Sequence, residues 1–233
     1  MVLRLAEVSF GWTPDTQLID IRAFNIESGE SVFLRGPSGS GKSTLLGLIG
    51  GVLKTRSGSI EINGQDISKV SPGRRDQIRA DHLGIIFQQF NLLPYLNVLA
   101  NVTFPCRFSG RRRLASKESY ASPDAEAREL INALGLPSSV LTTSVGELSV
   151  GQQQRVAVAR ALIGKPDLII ADEPTSALDT DNRDRFIELL NTQRQAAGSS
   201  LLFVSHDSSL ATHFDRVVDL AEINAASTAE VVS

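Results

Sequence analysis

Cysteine occurs once in this chain, at position 106. No internal disulfide can form, which points to a reducing compartment. Nothing around Cys106 marks a nucleophile or a ligand, so it reads as a small buried apolar residue. No apolar run approaches the roughly 20 residues that a membrane helix needs. The chain is therefore expected to be soluble and to meet a membrane only through a partner. Its opening, Met1-Val2-Leu3-Arg4-Leu5-Ala6-Glu7, is too short and too charged for a signal peptide. A basic excess is missing as well: 23 Lys and Arg stand against 26 Asp and Glu, a formal net charge of −3. That balance argues against general nucleic-acid binding. No internal repeat is visible.

What is present suits one large α/β domain: 233 residues, 42% of them hydrophobic. Residues 2–9 and 17–26 read as antiparallel strands around a turn carrying Phe10 and Trp12. Short strands follow at Ser31–Leu34, Ser57–Gly64 and Leu83–Phe87, with a polar helix from Pro72 to Asp81. The stretches Asn97–Phe108, Asp124–Leu134 and Gly151–Ile163 look helical and have no convincing strand among them. Between them, Ser109–Pro123 with Arg111-Arg112-Arg113 reads as a solvated flexible loop, the alternative being contact with anionic lipid or a partner. Leu168–Ala171 and Leu201–Val204 are uninterrupted apolar runs, as parallel strands covered on both faces should be. A crossover helix from Asp181 to Ala197 joins them, a last strand spans Arg216–Leu220, and the tail from Asn224 is expected to fray.

The stretch Gly36-Pro37-Ser38-Gly39-Ser40-Gly41-Lys42-Ser43-Thr44 fits G-x-x-x-x-G-K-[ST] between a strand and a helix. Such a loop turns its backbone N–H groups inward onto a phosphate chain. Its glycines take angles closed to other residues and let the main chain approach the anion. Lys42 would reach the terminal phosphates and Ser43 would offer a hydroxyl to Mg²⁺. The reading is a nucleoside triphosphate site.

A second motif complements it. Leu168-Ile169-Ile170-Ala171-Asp172-Glu173 is a buried strand ending in two carboxylates, at the end of a parallel sheet where ligands bind. Asp172 is suited to hold Mg²⁺ and Glu173 to polarise an attacking water. Leu148-Ser149-Val150-Gly151-Gln152 opens a helix whose N-terminal dipole suits a γ-phosphate, although read alone it is merely a Ser-capped helix.

Taken in order, Gly36–Thr44, Gln88, Leu148–Gln152, Asp172-Glu173, Ser176–Asp179 and Ser205-His206-Asp207 resemble the nucleotide-binding subunit of ABC transporters over roughly residues 2 to 220. The resemblance implies a P-loop NTPase core, an α/β fold with a mixed sheet flanked by helices, an antiparallel β portion and an inserted helical subdomain. The core would comprise residues 1–88 and 166–220, the helical subdomain 89–165 and the tail 221–233. ATP and Mg²⁺ would be the ligands, with Gln88 joining Ser43 and Asp172 near the metal. Trp12, or its neighbour Phe10, would stack on adenine. Gln88, Glu173 and His206 would serve hydrolysis. Ser149, Gly151 and Gln152 would close on ATP held by a second copy, and Asp179 would couple the two sites. Val150 replaces the usual first glycine of that signature, restricting the backbone and adding bulk at the seam. His82 and His213 match no motif.

Phe87–Pro94 and Leu148–Leu162 further resemble the lipoprotein-release, macrolide-export and cell-division group. That implies an ATPase bound as a homodimer to a separate permease at the inner face of the cell membrane. No nucleic-acid partner is expected. A soluble ABC ATPase of DNA repair or chromosome maintenance is the alternative, disfavoured by the lack of inserted coiled coils or zinc modules. A small-molecule P-loop kinase would leave the signature and His206 without a role.

Overall fold

The computed structural model describes residues 1–176, 178 and 180–228; Asp179 lies outside them. In chain order the elements are β1 (Leu3–Phe10), β2 (Ile19–Ile26), β3 (Ser31–Arg35), α1 (Lys42–Ile49), β4 (Ser57–Ile62), β5 (Gln65–Asp66), α2 (Pro72–His82) and β6 (Leu83–Ile86). A helical stretch follows: α3 (Val98–Thr103), α4 (Pro105–Phe108), α5 (Gly110–Tyr120), α6 (Pro123–Ala133) and α7 (Val150–Leu162). Then come β7 (Leu168–Asp172), α8 (Thr180–Ala197), β8 (Ser200–Val204), β9 (Arg216–Asp219) and α9 (Leu220–Ile223). Among the described residues no helix is long and apolar enough to cross a membrane.

Two sheets result. One has the order β2-β1-β4-β5 with antiparallel pairs; the other has the order β6-β7-β8-β3-β9 with parallel pairs throughout. Side chains alternate across each strand, so the parallel sheet serves two cores. Val32, Leu34, Ile170, Leu202 and Val204 face α1 and the antiparallel sheet. Phe33, Ile169, Ala171, Leu201 and Phe203 face the helical stretch and α8. Each fully buried aliphatic or aromatic side chain contributes roughly 1.5–3 kcal/mol. Having both faces covered is why these strands read as unbroken apolar runs. Close approach also fixes Gly84: a Cβ there would lie 2.3 Å from the Ala161 carbonyl oxygen of α7.

The segment Ser109–Pro123 departs from its sequence reading. It is not a flexible loop but contains the helix α5, capped by Ser109, whose Oγ accepts from Arg112 N at 3.0 Å. Its inward face consists of Arg112 and Ser116, while its large hydrophobic residues, Leu114 and Tyr120, are exposed. The Arg112 guanidinium, 1% exposed, donates from Nη2 to Leu83 O at 2.8 Å and to Ala161 O at 3.3 Å. The second acceptor belongs to the last turn of α7, where carbonyls lack helical partners and a cation is favoured. Burial pushes the Arg112 pKa down to about 10, which leaves it charged at neutral pH. Arg111 pairs with Asp167 at 3.0 Å. Of the arginine run, Arg112 is thus buried inside the protein, while Arg111 and Arg113 remain exposed.

Two smaller departures have equally local causes. The helix read over Asn97–Phe108 is split at Phe104, because Pro105 has no N–H to continue the ladder. The tail is held at its start rather than frayed there. Asn224 is buried, accepts from Asp20 N at 2.7 Å and donates to Leu18 O at 2.9 Å.

Candidate functional site

Parallel register gathers the motif loops. Those after β3, β6, β7 and β8 carry Gly36–Gly41, Gln88, Glu173 and His206, and they all leave the carboxyl ends of strands in one sheet. Ser38, Gly39, Gly41, Lys42, Ser43, Thr44 and Glu173 line a cleft of about 270 Å³, with Leu18 as an apolar wall. In the loop, Gly39 (φ 80°) and Gly41 (φ 98°) occupy the left-handed region. Gly36 does not; its reason is space, since a Cβ would lie 2.8 Å from Ser40 Oγ. Gly41 is the N-cap of α1 and has no side chain to offer, so the helix's first N–H groups stay available to an anion. Lys42, buried at the head of α1, donates from Nζ to the carbonyls of Gly36 at 2.7 Å and Pro37 at 2.9 Å.

Glu173 also has φ of 44°, a left-handed angle unusual for a side chain of its size. Its N–H donates to Val204 O at 2.9 Å, pinning it to the end of β8. His206 Nδ1 lies 3.3 Å from Glu173 Oε2. Gln88 Nε2 donates to Ser176 Oγ at 3.4 Å, which links the loop after β6 to the turn following Glu173. Burial, and next the neighbouring Glu173 charge, hold the Asp172 carboxyl above the usual carboxylate range, with Lys42 opposing.

The donor set suits Mg²⁺: a hydroxyl at Ser43, a carboxylate at Asp172 and an amide at Gln88 are hard oxygen ligands. Among the described residues no group of three His, Cys, Asp or Glu forms a cage. Because the folded pKa of Asp172 is raised, the ionised carboxylate opposes folding at neutral pH, and the penalty fades as pH falls through the folded value. Asp172→Asn should therefore raise Tm by about 2 °C at pH 7.5, a small gain because water partly screens the group. Calorimetry at acid pH should find that gain gone.

Other candidates lie apart from the cleft. Ser149, Gly151 and Gln152 head α7 and do not line it; Ser149 is exposed. They form a capping box: Gln152 N donates to Ser149 Oγ at 3.3 Å and Ser149 N to Gln152 Oε1 at 2.9 Å. Val150 is the first residue of α7 and 53% exposed, so the box closes despite the β-branched replacement. Trp12, 66% exposed, stands on the β1–β2 turn with Phe10 edge-on at 5.2 Å. The residue that shapes this turn carries no motif and was not foreseen. Arg56, 40 or more positions later, donates to the carbonyls of Gly11, Thr13, Pro14 and Thr16. His82 is buried between Asp167 Oδ2 at 2.6 Å and Gln65 Nε2 at 2.9 Å, a core residue with both ring nitrogens engaged. His213 faces Asp184 at 3.4 Å. Cys106 is buried, and burial raises its thiol pKa away from reactivity.

Residues 19–176 match the profile described as ABC transporter. The chain is 43% identical over 224 residues to the lipoprotein-releasing system ATP-binding protein LolD of Novosphingobium aromaticivorans, covering 95% of this chain and 96% of that one. It is 40% identical over 207 residues to the macrolide export ATP-binding/permease protein MacB of Shewanella sp. strain ANA-3, covering 89% of this chain but 30% of that much longer protein. Among solved structures, the dimeric post-hydrolysis state of the ATP-binding cassette MJ0796 bound to ADP and Pi aligns over 93% of both chains, with 34% identity and a TM-score of 0.78. A family profile spanning more than half of the residues, and a full-length likeness to a cassette holding the products of hydrolysis, lead to one assignment: the chain belongs to the ABC transporter family, as an ATP-binding subunit that hydrolyses ATP.

Proposed function

We propose that this subunit works as a homodimer that closes on two MgATP, and that its opening and closing drive a separate membrane permease in export, extraction or force transmission. One observation carries the dimer: Lys42 and Glu173 share a cleft, whereas Ser149, Gly151 and Gln152 of the same chain sit outside it with an exposed helix start. A signature that does not reach its own nucleotide cleft is suited to a second copy's. The dimeric cassette structures among its likenesses support the same arrangement.

In this reading ATP lies along Gly36–Thr44 with its phosphates on the backbone N–H groups and Lys42. Trp12 stacks on adenine, and Asp179 couples the two sites. Bound Mg²⁺, held by Ser43, Asp172 and Gln88, would neutralise phosphate charge. Glu173 accepts the proton of the attacking water, and His206 orients that carboxylate and the γ-phosphate. The permease docks in a second cleft, of about 570 Å³, lined by Phe87, Phe104, Phe108 and Arg79 among others. Phe87 directly precedes Gln88, so pressure on this cleft reaches the site. The subunit would then sit at the inner face of the cell membrane through its partner.

Complementation tests the composite site. Lys42→Ala and Gly151→Asp chains should each be inactive alone. Mixed, they should regain up to about a quarter of the wild-type rate of phosphate release, if copies pair at random and sites act independently. An inactive mixture whose chains still exchange subunits would refute the shared site.

A further inference from the structure

The turn after Gln88 is built against its own torsional preference. Phe90 (φ 58°) and Asn91 (φ 48°) occupy the left-handed region in succession. Asparagine visits it readily, but a buried phenylalanine there is an outlier. The carbonyls of both residues converge on one guanidinium: Arg160 donates from Nη2 to Phe90 O at 2.5 Å and from Nη1 to Asn91 O at 2.6 Å. Burial lowers the Arg160 pKa to about 10, so the fork remains charged at neutral pH.

Arg160 belongs to the last turns of α7, whose first turn carries Gly151 and Gln152. At 1.5 Å per residue, Ser149 and Arg160 are about 16 Å apart along one rigid rod. Near the front of the same helix, Gln154 Nε2 donates to Pro174 O at 2.8 Å, one residue beyond Glu173. One helix therefore grips the loops of both Gln88 and Glu173 while exposing the signature at its tip.

We propose that Arg160 is a positioning residue for Gln88: by clamping the Phe90–Asn91 pair it fixes the Gln88 loop to the signature helix. A shift of α7 when Ser149 meets a second copy's nucleotide is then passed to the Gln88 of its own site. This rests on the role given to Gln88 above. Lysine cannot replace the fork, since it offers a point charge rather than two parallel donors.

The test measures steady-state ATP hydrolysis and backbone amide exchange in the full chain. Arg160→Ala should lower kcat about tenfold and leave the KM for ATP within about twofold, since the phosphate loop is untouched. In a Gln88→Ala background the same substitution should change kcat by less than about twofold, because both act through one group. Amide exchange over residues 88–92 should quicken while that of β6 is unchanged. Arg160→Lys, which keeps charge and stem, provides a second variant for every measurement if the alanine variant misfolds. Losses that multiply in the double variant, or unchanged exchange over 88–92, overturn the proposal. The exchange readout does not depend on hydrolysis, so a failure of the Gln88 assignment is told apart from a failure of the clamp.

Discussion

Glu173→Gln should stop turnover and leave nucleotide binding in place. The amide keeps the size of the carboxylate and the hydrogen bond of its backbone N–H to Val204 O, but it cannot take a proton from water. Loss of a general base should cost kcat about 10²–10⁴-fold. With the binding contacts proposed for Gly36–Thr44 untouched, the ATP affinity should stay within about threefold. With hydrolysis blocked and ATP saturating, the chain should elute as a dimer, whereas with ADP it should elute as a monomer. Phosphate release and size-exclusion light scattering measure the two arms. Steady-state hydrolysis at the wild-type rate would remove Glu173 from the role of base.

Arg112→Ala should unfold the protein more readily than loss of any surface arginine. The substitution strips two buried carbonyls, Leu83 O and Ala161 O, of a donor and leaves a void in the space of the stem. An unsatisfied buried acceptor and a cavity together cost about 3 kcal/mol or more. For a chain of this size that corresponds to a Tm lowered by about 6–12 °C. Arg112→Met keeps most of the packing and should lose about half as much. Arg113, exposed and held by one long bond to Cys106 O at 3.4 Å, should be replaceable within about 0.5 kcal/mol. Denaturant melts of the three variants decide the matter. Equal melts would return the run to a solvated role.

These two variants mark what the sequence could and could not convey. The loops carrying Lys42, Glu173 and His206 were legible because each follows a strand buried on both faces, and such strands announce themselves as apolar runs before polar residues. Helix α5 was not legible, since apolar periodicity is the usual helical signal and its inward positions are Arg112 and Ser116. A burial pattern built from an arginine stem and a serine looks like a solvated stretch. Arg56 and Arg160 were hidden for a related reason: their partners are backbone carbonyls, which have no side-chain identity to read. The break at Phe104 was foreseeable from Pro105. The tether at Asn224 was not, because its partners, Leu18 and Asp20, lie some 200 positions away.

Trp12 stands on the turn between β1 and β2 of the antiparallel sheet, whereas Gly36–Gly41, Gln88, Glu173 and His206 follow strands of the parallel one. If that indole selects the nucleobase, the choice between adenine and guanine is written on a separate scaffold from the machinery of hydrolysis. Substitutions in the Trp12 turn or at its Arg56 brace can then alter base preference over evolutionary time without retuning the chemistry of the γ-phosphate.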